Sequence, residues 1–196
     1  MKTLDDINQY YLENTKSKLF KSIKNVVPGE GSPDADIMFI GEAPGAVEDR
    51  LGRPFVGPAG KFLDTLLESI GLRREDVFIT NVVKCRPPNN RDPSDEEKKI
   101  FAPWLRAQIE FIDPKIFVPL GRHALASFLP NVSISKVHGQ IFKREKDDRS
   151  IFAMYHPAVA LYNGSYREIL LNDMQNLKSF LEKEKEKEEK QLKMFS

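Results

Sequence analysis

Four places in this chain carry chemistry that packing alone does not call for. Gly41–Asp49 reads GEAPGAVED. Glycines and a proline straight after an apolar run make a tight turn with free backbone N–H groups, able to hold an anion or an anionic transition state. Glu42 and Glu48 add two carboxylates to it, and either can orient or activate a water. Taken alone, the turn is equally a plain strand-to-helix connection with solvated acids. Its spacing is not the GxGxxG of a dinucleotide fingerprint. Phe55 stands in RPFVGPAG, among prolines and glycines rather than on a periodic face. A rigid ring there can stack on a flat base or plug the core. Asn81 interrupts an apolar strand; its amide can read the carbonyl and N–H edge of a pyrimidine or be consumed by hydrogen bonds inside the core. His156, ahead of Pro157, can donate to a base oxygen that gains charge as a bond to the base breaks. His123 and His138 lack such a setting and read as structural or surface groups.

These residues must be positioned by the elements around them. Four short apolar runs, Asp36–Ile40, Val77–Val83, Lys115–Leu120 and Ile151–Tyr155, have the length and β-branched or aromatic content of buried strands. Between them lie helical patterns over Gly60–Ile70, Ser94–Phe111 and Arg122–Leu129, the second opening with a capping box at Ser94 and Glu97. Alternating strands and helices predict a three-layer α/β/α sandwich around a central, mostly parallel four-stranded sheet. Such sheets bind ligands at the carboxyl ends of their strands. The glycine turn, Asn81 and His156 fall there; the third strand ends in a turn, Pro119–Arg122, leading into a helix.

The chain has 196 residues, enough for one domain and a tail, and a net charge of +1. That balance neither demands nor excludes nucleic acid, since a local basic patch suffices. The single cysteine, Cys85, rules out an internal disulfide and fits a reducing compartment. The N-terminal stretch lacks the apolar run of a signal peptide, and no run is long enough to span a membrane. The expectation is a cytoplasmic, monomeric protein.

Five segments in this order, GEAPGAVED, GRPFVGPAGKFLDTLL, TNVVKCRPPNNRDP, PWLRAQIEFIDPKIFVPLG and YHPAVAL, resemble the family 4 uracil-DNA glycosylases over roughly Pro28 to Leu181. The resemblance implies a base-excision repair enzyme that flips deoxyuridine out of DNA and hydrolyses its N-glycosidic bond. Phe55 would stack on uracil, Asn81 would read its edge, and the main chain around Gly41 and Ala43 would help hold it. His156 would stabilise charge on O2, with Glu42 or Glu48 orienting the water. Ala43 stands where the best-known branch of the superfamily has an aspartate. The loop at Val159, Ala160 and Leu161 would wedge into the duplex. Lys84 and Arg86, with Arg91 and Arg122, would contact phosphates, single- or double-stranded. Two other readings are a broader deaminated-base glycosylase, which Asn81 disfavours, and a non-catalytic DNA-damage binding or scaffolding domain, which the intact pocket residues disfavour.

The resemblance also carries departures. The family holds a [4Fe–4S] cluster on four cysteines, whose matching positions here are Asn14, Ser17, Cys85 and Phe101. One thiol cannot hold such a cluster, so the expectation is no cluster and no metal, with Phe101, Leu19 and Phe20 filling the space. The covalent-trapping relatives carry a reactive histidine in a basic loop; KCRPPNNRDP has none, which predicts ordinary turnover. After Leu181 the run LEKEKEKEEK reads as a solvated helix extension or a disordered tether, dividing the chain into a domain over 1–181 and a tail over 182–196. The tail ends in QLKMFS, similar to peptides that dock on the bacterial sliding clamp. Gln191 would anchor it by hydrogen bonds, and Leu192, Met194 and Phe195 would enter an apolar groove; a frayed helix end is the other reading.

Overall fold

The computed structural model describes residues 3–14, 25–144, 146–147 and 149–194, with only the backbone of Leu192. Ser17, Leu19, Phe20 and Phe195 lie outside these residues. The four expected strands form: β2 (Ile37–Gly41), β3 (Phe78–Asn81), β4 (Ile116–Pro119) and β6 (Ser150–Phe152). They run parallel in the order β3-β2-β4-β6. The sheet of the described residues has six strands rather than four. The short β1 (Glu30–Gly31) and β5 (Ile141–Lys143) add antiparallel edges. Segments of two and three residues are too short to show a period, which is why the sequence pattern missed them.

Alternation along β2 divides the core in two. Ile37 and Phe39 face a cluster built with Leu63, Leu66 and Leu67 of α3 (Pro58–Glu68) and with Leu170, Met174 and Leu177 of α8 (Ser165–Met194). Met38 and Ile40 face the opposite cluster. It contains Ile7 of α1 (Leu4–Asn14), Phe101, Trp104 and Leu105 of α4 (Asp95–Ile112) and Ala124 of α5 (Gly121–Ala126). Strands covered on both faces read as continuous apolar runs. α3 opens with Pro58 at its first turn, where the missing N–H costs nothing. α4 starts with the expected capping box, Ser94 accepting from the Glu97 N–H and the Glu97 carboxylate accepting from the Ser94 N–H. Two one-turn helices, α6 (Ile134–Val137) and α7 (Val159–Tyr162), and the short α2 (Ala46–Leu51) complete the chain.

α8 continues unbroken past Leu181. Its apolar stripe ends there, and the lysine/glutamate run extends as exposed helix, tied to the sheet by Lys115 and Glu188 at 2.9 Å. No helix of the described residues is long and apolar enough to cross a membrane.

Lys84 is fully buried between β3 and α4. Its Nζ donates to Thr80 Oγ1 at 2.5 Å, Gln108 Oε1 at 2.6 Å and the Asn81 carbonyl at 2.9 Å. No carboxylate is among these partners, and burial pushes its pKa well below the usual lysine value. The expectation that Lys84 contacts DNA phosphate is corrected: its amine holds the end of β3 against α4, out of reach of any ligand outside. The unfolded chain keeps this proton up to the ordinary value of 10.5 and the folded chain releases it well below. Stability therefore rises with pH over that interval, and Lys84→Met is expected to flatten the rise. Lys84→Ala strands three acceptors and opens a cavity, and is expected to destabilise by about 3 kcal/mol or more. Urea unfolding at a series of pH values measures both.

Candidate active site

The carboxyl ends of the parallel strands bring the singled-out residues together. β2 and β3 pair Gly41 directly with Asn81. A Cβ on Gly41 would lie only 2.3 Å from Asn81 Oδ1 and 2.6 Å from Phe55 Cζ, so turn backbone, amide and ring meet at one point. The Phe55 ring lies 5.5 Å from that of His156, tilted by 33°. Asn81 Oδ1 is buried with no hydrogen-bond partner, and an unpaired buried acceptor marks a place where a ligand donor is favoured. Beside this cluster opens a cavity of about 820 Å³, walled by Glu42, Ala43, Asp92, His123, Tyr155 and His156 among others. Phe55 and Asn81, 5% and 1% exposed, lie behind its wall, almost sealed from water.

Phe55 is held in a left-handed conformation, φ +49, which a bulky residue adopts only under constraint. Three groups impose it. Arg74 donates to the Phe55 carbonyl at 3.0 Å and the Pro54 carbonyl at 2.7 Å, and is itself clamped by Glu30 and Asp64. A Cβ on Gly60 would fall 1.8 Å from the Phe55 oxygen, so only glycine fits there. Glu48 accepts from the Val56 and Gly57 N–H groups at 3.0 and 2.8 Å. Glu48 thus braces the Phe55 loop and is absent from the cavity wall.

His156 Nδ1 accepts from the Ala158 N–H at 3.2 Å, which leaves Nε2 to carry the proton. Burial pushes the imidazole down to about 4, against the pull of the Glu48 charge. At neutral pH the ring is an uncharged donor. Gly121 (φ +83) comes within 3.0 Å of His156 Cβ, counted from where its own Cβ would stand, and its N–H donates to the Met154 carbonyl. This close crossing ties the end of β4 to the histidine.

Glu42 lines the cavity with Oε1 buried and unpartnered. Burial raises its pKa; Asp92 adds to the rise, while His123, Lys98 and Arg122 oppose it. His123 stands across from it, Nδ1 at 4.0 Å from Glu42 Oε1 and Nε2 at 3.1 Å from Asp92 Oδ2. The reading of His123 as a structural or surface group is corrected by this placement. Asp92 and Tyr162 in the cavity wall were also missed. His123 follows a strand end like the other site residues, and that rule applied to β4 finds it.

The remaining expected residues divide. Ala43 lines the cavity. Leu161 is exposed at the mouth, with Tyr162 beside it at 91% exposure, whereas Ala160 is buried, so its placement on the wedge surface is corrected. Arg86 is partly exposed and bonded to Asn90. Arg91 is spent on a two-point pair with Glu97 at 2.6 and 2.7 Å. Arg122 is open to solvent beside Asp92. Gln191 and Met194 are exposed at the end of α8. Of the four positions matched to cluster cysteines, Asn14 is an exposed helix end bonded to the Tyr10 carbonyl, and Cys85 and Phe101 are buried in the α4-side core. This donor set does not fit an iron–sulfur cluster.

Comparison with known proteins shows the family. The family model described as uracil DNA glycosylase superfamily matches residues 28–181. A type-4 uracil-DNA glycosylase of Sulfurisphaera tokodaii is 47% identical over 91% of this chain and 84% of its own. One of Saccharolobus solfataricus is 49% identical over 92% and 88%. A type-5 enzyme of Thermus thermophilus is 35% identical over 66% and 68%.

Proposed function

The chain belongs to the uracil DNA glycosylase superfamily, and from that membership we propose that it is a uracil-DNA glycosylase, an enzyme that hydrolyses the N-glycosidic bond of a flipped-out deoxyuridine to release uracil and leave an abasic site. The observation that carries this reading is the meeting of the Gly41 backbone, the Asn81 amide, the Phe55 ring and a neutral His156 beside one cavity. Phe55 stacks on the base and Asn81 reads its edge, supplying the partner that its buried oxygen lacks. Both are nearly sealed from water, which strengthens each polar contact to an incoming base. The His156 Nε2–H donates to O2, where negative charge gathers as the bond from C1′ to N1 breaks with its electron pair leaving on uracil. Glu42 faces the cavity and orients the water whose oxygen bonds to C1′, taking up the proton lost; Glu48 acts through the Phe55 loop. Leu161 and Tyr162 stand where a wedge would fill the gap left by the flipped nucleotide. DNA is the partner, and of the expected cations Arg86 and Arg122 keep exposed surface for phosphates while also bonding Asn90 and His123.

With a uracil-containing oligonucleotide and alkali cleavage of the abasic sites as readout, Asn81→Ala and His156→Ala are expected to slow turnover by about 10²–10³-fold each. Glu42→Gln is expected to cost about 10²-fold or more, and Glu48→Gln distinctly less, with a lowered melting temperature. Wild-type rates in the first two variants would refute the reading.

The chain is proposed to work without an iron–sulfur cluster. Cys85 is the only thiol, and burial pushes it up to about 12, with Glu97 and Asp49 adding to the rise, far from the thiolate that a cluster needs. The purified protein is expected to lack visible charge-transfer absorbance and to hold well under the roughly four irons per chain of a cubane.

The C-terminal QLKMFS is proposed to dock on a sliding clamp, a reading supported by the exposure of Gln191 and Met194 at the end of a long polar helix. Deleting Gln191–Ser196 is expected to abolish binding to purified clamp and leave cleavage of free oligonucleotide unchanged.

A further inference from the structure

We propose that His123 is a positioning residue of this reaction: its Nδ1–H, oriented by the Arg122 contact at Nε2, seats the attacking water against Glu42 Oε1. The inference rests on the reading of Glu42 as the water-orienting group and adds to it the second half of the water's seat.

The Arg122 contact assigns the proton of the neutral ring. Arg122 Nε lies 2.8 Å from His123 Nε2, and Asp92 Oδ2 lies 3.1 Å from the same nitrogen. In the neutral ring, Nε2 accepts from Arg122, which leaves the proton on Nδ1. That Nδ1 proton faces Glu42 Oε1.

The 4.0 Å from Nδ1 to Glu42 Oε1 is too long for a hydrogen bond. One water set off that line spans it, accepting from Nδ1–H and donating to Oε1. Its second lone pair is then free for C1′. In the step itself the water oxygen bonds to C1′, uracil leaves with the electron pair, and the water's proton passes to Glu42. His123 transfers no proton, which is why it positions rather than reacts.

The groups around Glu42 act on its charge in opposite directions. Burial favours the neutral acid, and Asp92 works in the same direction. His123, Lys98 and Arg122 work against it, and His123 has the strongest opposing effect. His123 thus offers a second contact for the water and opposes the burial that raises the pKa of Glu42. Backbone places it there. α5 begins at Gly121, whose left-handed turn against His156 aims the first turn of the helix into the cavity.

Single-turnover cleavage of a uracil-containing oligonucleotide, followed against pH, tests this in wild type, His123→Ala, His123→Asn, Glu42→Gln and the double variant Glu42→Gln/His123→Ala. His123→Ala is expected to slow the reaction by about 10- to 100-fold with oligonucleotide affinity unchanged. It should also move the acid limb of the profile up by about one pH unit. His123→Asn, whose amide N–H stands near the place of Nδ1, should regain part of the rate but not the limb, and serves should the alanine variant misfold. The double variant should lose less than the product of the two single losses, since both groups hold the same water. The inference is overturned if Glu42→Gln is crippled while His123→Ala keeps the wild-type rate and limb, or if the two losses multiply. A fully active Glu42→Gln would instead overturn the underlying reading of Glu42.

Discussion

A side chain at position 41 would occupy the space where the amide of Asn81 and the ring of Phe55 meet, and the rest of the site is arranged around that empty place. The parallel register of β2 on β3 sets Gly41 opposite Asn81. Both strands are buried on both faces, with side chains assigned alternately to the α3/α8 layer and the α4 layer. A slip of one residue would exchange the two sets and turn Asn81 toward α4, leaving Thr80 where the amide now stands. The packing that holds the core thus also holds the amide in its place. Phe55 completes the corner only because Gly60, Arg74 and Glu48 together force its backbone into the left-handed region. Strain of this kind, about 1–3 kcal/mol, persists where neighbours over-determine it.

Burial acts on each ionisable group at this end of the sheet, and its outcome depends on the partner supplied. Glu97 is buried against Arg91, whose guanidinium holds it down to about 2. Lys84 is buried among neutral acceptors, and its pKa falls well below the usual lysine value. His156 is desolvated and left neutral, suited to donating a hydrogen bond without competing for the charge that uracil must carry. Glu42 lies between these cases, pushed toward the neutral acid by burial and drawn back by His123, Lys98 and Arg122. A site that must assemble one anion and one neutral donor within a few ångströms depends on that difference in surroundings.

The same packing withdraws cations from the DNA-facing surface. Lys84 is inside, and Arg91 is engaged by Glu97. For a chain of net charge +1, Arg86 is left partly exposed and Arg122 exposed, with the apolar Leu161 and Tyr162 exposed as well.

The layered fold was legible because strand and helix periods are local: the four parallel strands, the Ser94 capping box and the carboxyl-end rule all follow from neighbours within a few residues. Gly41, Phe55, Asn81 and His156 were legible as residue types that packing did not call for. The two edge strands were not, being too short to carry a period. Nor could the pattern tell Glu42 from Glu48, since both lie in one turn and differ only in what they meet: the cavity in one case, the N–H groups of Val56 and Gly57 in the other. Lys84 reads as a surface cation until α4 supplies Gln108 to receive it. His123 reads as a surface histidine until β4 sets it across from Glu42. The sequence by itself determined the elements and the chemical types at their ends, because these depend on short-range periodicity. Only the tertiary structure decided which groups are desolvated and which face one another, because desolvation and pairing come from residues tens of positions apart that share a surface only after the sheet has formed.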